Sequence, residues 1–202
     1  MVALMTMFNF REKRFKEFIK RLNLNGDEFI LDVGGLPWDW IKIGYEGKVL
    51  CLSLSNLEEG KYGKYDNIEY KKHDVTKLPY DNKSIDIVYC NSLLEHVGKE
   101  NQQVVADEIK RVAKKYWVQV PYKYFLIEPH YKFPLFHIFP LSIRRFIANY
   151  WTGKVLKHPY YLNEIETISL PTQKEFSRLF PESMIYKERF LGFIKSLIAY
   201  RS

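Results

Sequence analysis

The residues best suited to chemistry sit in Asp32-Val33-Gly34-Gly35, which follows the apolar run Phe29-Ile30-Leu31 and precedes Leu36-Pro37-Trp38. A buried strand that ends in an acid and two glycines delivers the chain to a tight turn. Glycine accepts positive φ there and lets a ligand approach the backbone closely. In an open α/β sheet, the crevice beyond the carboxyl end of the first strand is where a nucleotide-like ligand sits. The same residues also suit an ordinary turn, so the elements downstream decide. Other chemistries fit poorly. His130, His137, His158 and Glu128 lack the short spacings of metal ligands, and no metal is expected. The G-x-S-x-G elbow of a serine hydrolase is absent. His73 and Asp74 are adjacent, and neighbours on a strand point to opposite faces, which argues against a dyad.

The turn needs a sheet to hold it. Gly47 to Leu54 reads as a second buried strand, Asn67 to Lys72 as a short third leading to His73-Asp74-Val75, Ile85 to Cys90 as a fourth ending at Asn91-Ser92, and Tyr116 to Val120 as a fifth closed by Pro121. Gly60 to Asp66 reads as a polar loop, and Trp38 to Gly44 is too short and aromatic to assign as a helix. Phe8 to Leu22 and Gln102 to Lys114 carry apolar residues at helical spacing. Thr172 with Glu175 three residues on predicts a capping box before a short helix. Ser183 to Phe190 and Phe193 to Ala199, joined at Gly192, predict an antiparallel pair closing the sheet. Strand and connection alternate throughout, which predicts an α/β, doubly wound, mostly parallel seven-stranded sheet with helices on both faces and an antiparallel C-terminal strand. The expected organisation is an N-terminal helix over residues 1–25, then one domain over 26–202 with an aromatic-rich insertion or lid at about 122–161.

The 202 residues can bury a sizeable core without disulfides. Cys51 and Cys90 fall inside apolar runs separated by another strand, so both are expected as buried thiols in a reducing compartment. With no signal-peptide pattern and no long charge-free apolar window, a cytoplasmic protein is expected. A net charge of +7 and a pI near 9.2 favour anionic company, although the cations are spread along the chain as on an ordinary solvated surface.

Taken together, Ile30-Leu31-Asp32-Val33-Gly34-Gly35, Leu78-Pro79-Tyr80 with Ser84-Ile85-Asp86-Ile87-Val88, and Ser92-Leu93-Leu94-Glu95-His96-Val97 resemble the class I S-adenosylmethionine-dependent methyltransferases of small-molecule type, over about residues 26–201. Within them, the chain resembles a branch with a Gly-Gly-x-Pro-aromatic turn and a Tyr-Phe-x-Ile-Glu-Pro-His stretch after the fifth strand, here Gly34 to Trp38 and Tyr124 to His130. The resemblance implies S-adenosyl-L-methionine as cofactor, a Rossmann-like fold, and cofactor contacts at Asp32, Gly34, Gly35, Ser53, Leu54, Asp74, Val75, Asn91, Ser92 and Leu93. The sequence departs from the pattern twice. Leu36 and Trp38 stand where glycines are usual, and Ser53 replaces the acid that bridges the ribose hydroxyls. A neutral hydroxyl forgoes two charge-assisted bonds, which Asn56, Glu58 or Glu59 would have to restore.

The implied activity is O-methylation of a small, glycan- or lipid-linked acceptor. His96, Glu128 and His130 are the candidate general bases for a hydroxyl, against a packed His96 at a helix start. Nucleic acid is the second choice of acceptor, since Asn91-Ser92-Leu93 lacks the two prolines and aromatic of amino-methylating enzymes. An RNA methyltransferase therefore remains an alternative, as does a binding or scaffold domain that has lost the cofactor. Phe133 to Leu141, with Arg144 and Arg145, suits either peripheral membrane contact or a lid packed on its own domain. The oligomeric state is not set by the sequence.

Overall fold

The computed structural model describes residues 2–62, 65–125, 136, 139–148, 150 and 168–202. In chain order the elements are α1 (Val2–Leu22), β1 (Ile30–Val33), α2 (Pro37–Ile43), β2 (Val49–Ser53), β3 (Gly60–Tyr62), β4 (Tyr65–Lys72), β5 (Ile85–Asn91), α3 (Gln102–Val112), β6 (Ala113–Pro121), α4 (Leu141–Ile147), α5 (Gln173–Leu179), β7 (Met184–Phe190) and β8 (Phe193–Arg201). They build one mixed sheet of eight strands in the order β3-β4-β2-β1-β5-β6-β8-β7. The five strands β4, β2, β1, β5 and β6 run parallel, while β3 and β8 are antiparallel to their neighbours. The apolar runs become the parallel centre because only strands covered on both faces can be apolar throughout: β1 and β2 are buried at every position.

The doubly wound, mostly parallel arrangement is as expected, and among the described residues the sheet has eight strands where seven were expected. The extra strand, β3, lies in the stretch read as a polar loop. It is a three-residue edge strand whose Gly60-Lys61-Tyr62 carries no apolar alternation, so its sequence does not betray it. Trp38 to Gly44 does form a helix, α2, started by Pro37 in its first turn and stopped by Gly44 at φ 71°.

Helices cover both faces. On one, Phe15, Phe18 and Leu22 of α1 pack with Trp40 of α2 onto Ile30, Cys51, Ile87, Trp117 and Ile198. Fully burying a side chain such as Phe18 contributes about 2–3 kcal/mol. On the other face, Val105, Ile109 and Val112 of α3 and Phe176 of α5 cover Leu31, Val88, Val118 and Ala199. The predicted capping box starts α5: Thr172 Oγ1 accepts from Glu175 N at 3.2 Å, and Glu175 Oε2 accepts from Thr172 N at 2.8 Å. Hydrogen bonds donated by Thr172 N and Thr172 Oγ1 to Glu175 Oε2, with Lys99 alongside, hold the Glu175 carboxyl down at about 2.

Helix α1 runs against the parallel strands. The carbonyl of Leu22 accepts from Lys115 Nζ near the start of β6, whereas Arg14 reaches Asn91 and Gln119 near the strands' carboxyl ends. Cys51 and Cys90 are buried free thiols on β2 and β5, with β1 between them, as expected. Of the expected lid, Phe136 is buried and α4 exposes Leu141, Ile143 and Phe146. Glu128 and His130 lie outside the described residues. Among the described residues no helix is long and apolar enough to cross a membrane.

Candidate functional site

Strand β1 has β2 on one side and β5 on the other, so successive connections leave it in opposite directions and a crevice opens at its carboxyl end. The glycine turn lies there. Gly34 adopts φ 84° and donates its N–H to Leu52 O at 2.7 Å. A Cβ on Gly34 would stand 2.7 Å from Leu93 Cδ1, and one on Gly35 would collide with the Asp32 carboxylate. Both positions therefore exclude every larger residue without movement of their neighbours. The close approach of Leu93 to Gly34 brings the end of β1 and the loop after β5 into contact.

Asp32 is sealed beneath this turn. Its side chain is 2 % exposed; Oδ2 accepts from Trp40 Nε1 at 2.6 Å, and Oδ1 has no hydrogen-bond partner. Burial pushes the carboxyl up to about 7, opposed by the Trp40 hydrogen bond and reinforced by Asp39. Asp39 itself pairs with Arg11 at the surface. Leu36 is half-buried and Trp38 turns outward, 51 % exposed, with its ring edge-on to Tyr62 at 5.0 Å.

The remaining predicted residues line the same edge of the sheet. Ser53 ends β2, but its hydroxyl is engaged: Oγ accepts from Ser55 N at 3.2 Å and lies 3.3 Å from Tyr70 Oη. Leu54 beside it is 65 % exposed. Asn56 Oδ1 accepts from Lys72 Nζ, and Glu59 Oε1 from Lys72 N, so both also have local partners. The chain leaves β4 with His73 N donating to Ser53 O, which places Asp74 next to the end of β2. Asp74 is exposed, and its Oδ1 accepts from Thr76 N and Thr76 Oγ1; these bonds hold the carboxyl below its ordinary value. Val75 turns its side chain into the core, leaving only its backbone for a ligand. His73 Nε2 bonds the Lys77 carbonyl and takes no part in a dyad.

At the end of β5, Asn91 is half-buried and Ser92 takes φ 56°. His96 is exposed in the turn that follows, with its N–H donated to Leu93 O. It is not the packed histidine at a helix start that the alternative reading required, since α3 begins only at Gln102. Two side chains that frame the site were not anticipated, Trp40 under Asp32 and Arg14 behind Asn91. A signal for Arg14 exists: Phe10, Arg14, Phe18 and Leu22 recur every four residues, placing one cation on the apolar stripe of α1. A cavity of about 700 Å³ between α1 and α2, lined by Phe15, Ile19, Ile43 and Tyr45 among others, contains none of the expected site residues.

The cradle fits an adenosyl ligand with an amino-acid tail on three observations. The turn bars any Cβ, the buried Asp32 Oδ1 beneath it has no partner, and Asp74 Oδ2 has none among the described residues. Only the ribose position fits less well, because the Ser53 hydroxyl is already engaged.

Comparison with known proteins agrees with this layout. Residues 35–116 match the family model of a methyltransferase domain. No curated protein matches the sequence. Among solved structures, an S-adenosylmethionine-dependent methyltransferase from Aquifex aeolicus superposes with a TM-score of 0.50 at 17 % identity, covering 92 % of this chain and 87 % of that one. Magnesium protoporphyrin IX methyltransferase from Synechocystis, solved with S-adenosylhomocysteine, gives 0.55 at 13 % identity, covering 95 % and 83 %. Geranyl diphosphate C-methyltransferase from Streptomyces coelicolor, also with S-adenosylhomocysteine, gives 0.55 at 11 % identity, covering 94 % and 79 %. The chain thus has the fold of the class I, S-adenosylmethionine-dependent methyltransferases, and its residues 35–116 resemble a methyltransferase domain.

Proposed function

We propose that the protein is a methyltransferase that uses S-adenosylmethionine to methylate an oxygen of a small, glycan- or lipid-linked acceptor. The observation that carries the reading is the glycine turn at the crevice beside β1, where neither Gly34 nor Gly35 has room for a Cβ. When bound, the cofactor supplies a methyl group on a positively charged sulfur, transferred by in-line displacement. The chain's own contribution is alignment and exclusion of water. The backbone of Gly34 and Gly35 would border the amino-acid tail, and Asp32, locked by Trp40, holds the turn's floor. Asp74 offers its second carboxylate oxygen to an exocyclic amine, with the backbone of Val75 beside it. Ser53 and Leu54 would flank the ribose, and Asn91, Ser92 and Leu93 would border the sulfur and the acceptor. His96, Glu128 and His130 are the candidates to take the acceptor's proton, and a base so placed is worth about 10²- to 10⁴-fold.

Exposed Leu141, Ile143 and Phe146 on α4, next to Arg145, support an apolar acceptor or a peripheral lipid contact. Two buried free thiols support a cytoplasmic setting. Titration calorimetry with S-adenosylhomocysteine tests the reading. Micromolar affinity is expected, and absence of heat at millimolar ligand would leave a scaffold domain in its place.

A further inference from the structure

The Arg14 guanidinium is 7 % exposed and lies against the carboxyl ends of β5 and β6. Its Nε and Nη2 donate to Glu188 Oε1 at 3.2 Å and Oε2 at 2.7 Å. Its Nη1 donates to Asn91 Oδ1 at 2.7 Å and to Gln119 Oε1 at 3.3 Å. A guanidinium has donors only, so the orientation of both amides is forced: each must turn its oxygen to Arg14 and its NH₂ away. Gln119 Oε1 also accepts from Ser92 Oγ at 3.0 Å, which fills both of its lone pairs. What the two amides retain is therefore donor capacity, and among the described residues neither NH₂ group has an acceptor. Asn91 and Gln119 are directly paired across β5 and β6, beside the Ser92-Leu93 loop that covers Gly34. Two cations, Arg14 and Lys195, face one carboxylate, Glu188, which Lys195 Nζ approaches to 3.7 Å. Paired NH₂ donors next to surplus positive charge complement an oxygen that carries negative charge.

We infer that Arg14 is a positioning residue, which sets Asn91 and Gln119 as twin NH₂ donors for an anionic oxygen of the acceptor, either a carboxylate or a hydroxyl losing its proton. The inference rests on the proposed function for the identity of the ligand. It assigns to α1 and β6, elements wholly or largely outside the matched domain, a part in recognising the acceptor.

The side-chain amide signals of Asn91 and Gln119 in ¹⁵N-labelled protein, with and without S-adenosylhomocysteine, report directly on this pair. They are followed during titration with sodium benzoate and, separately, with phenol. Saturable shifts of both amides with benzoate would mark a carboxylate ligand, and with phenol a hydroxyl. Gln119→Leu removes one donor while leaving the Arg14–Glu188 pair intact, and should weaken the responding probe about tenfold. Arg14→Lys, which cannot hold two amides and a carboxylate at once, should weaken the same probe about tenfold. Folded protein whose amide signals ignore both probes would overturn the inference, as would Gln119→Leu binding the probe as tightly as the parent. Failure of S-adenosylhomocysteine to bind would instead strike the proposed function, while the titration without it still reads the amide pair.

Discussion

Replacing Asp32 by Asn should flatten the pH dependence of folding stability. The carboxyl is sealed under the glycine turn and pushed up to about 7. Below about pH 4 it is protonated in folded and unfolded chains alike, and its burial as a neutral acid costs little. Between about 4 and 7 the unfolded chain releases the proton and the folded chain keeps it, so stability falls as pH rises. Above 7 the loss is complete. A rise of about three pH units at 1.36 kcal/mol each amounts to roughly 4 kcal/mol. Asn retains an acceptor for Trp40 but places an NH₂ where Oδ1 lacks a partner, a cost of about 1–3 kcal/mol that does not vary with pH. The offset between variants is therefore uninformative and the slope decides. Urea unfolding of both proteins from pH 4.5 to 8, without ligand, gives the difference in stability at each pH, and carboxylates common to both cancel. The variant should gain about 3–4 kcal/mol on the parent across this range. Parallel stability curves would mean that Asp32 ionises normally and is not sealed from water.

The other expectations concern the cradle itself. Gly35→Ala drives a methyl group into the Asp32 carboxylate and should break the Trp40 bond; a loss of about 1–3 kcal/mol and at least about a tenfold drop in S-adenosylhomocysteine affinity are expected by urea unfolding and calorimetry. Asp74→Ala removes an exposed side chain and its two hydrogen bonds from Thr76, so stability should fall by no more than about 1 kcal/mol while the same affinity falls about tenfold; unchanged affinity would remove Asp74 from the site.

The sheet was legible because its central strands are covered on both faces and so read as apolar runs, as Phe29 to Leu31 and Val49 to Leu52 do. Gly60 to Tyr62 escaped because an edge strand needs only backbone partners. Helix α2 escaped because four of its seven residues are aromatic or β-branched, and it is fixed by its ends, Pro37 and Gly44, more than by propensity. Gly34, Leu93 and Asp74 share one edge of the sheet because the parallel pairing carries the carboxyl ends of β1, β5 and β4 to the same side. The engagement of the Ser53 hydroxyl was not legible, because its partner Tyr70 comes from the neighbouring strand. Trp40 beneath Asp32 is likewise a tertiary meeting: the spacing of eight residues has no periodic signature, and only the path through the turn joins them. Arg14 could have been found as a cation on an apolar stripe, but its partners Asn91, Gln119, Glu188 and Ser196 come from β5, β6, β7 and β8 in turn.

The position of β8 bears on the order of assembly. It follows β7 in the chain yet lies between β7 and β6, so β7 has no place to dock until β8 has been synthesised. Until then the nascent polypeptide presents β6 as an open rim, a template for association with other chains. Glu188 rides on β7, so the guanidinium of Arg14 also waits for that hairpin before it gains its counter-ion. Maturation of the first helix is thereby tied to the arrival of the last hairpin, and a ribosome halted before residue 193 would leave both ends of the fold unfinished together.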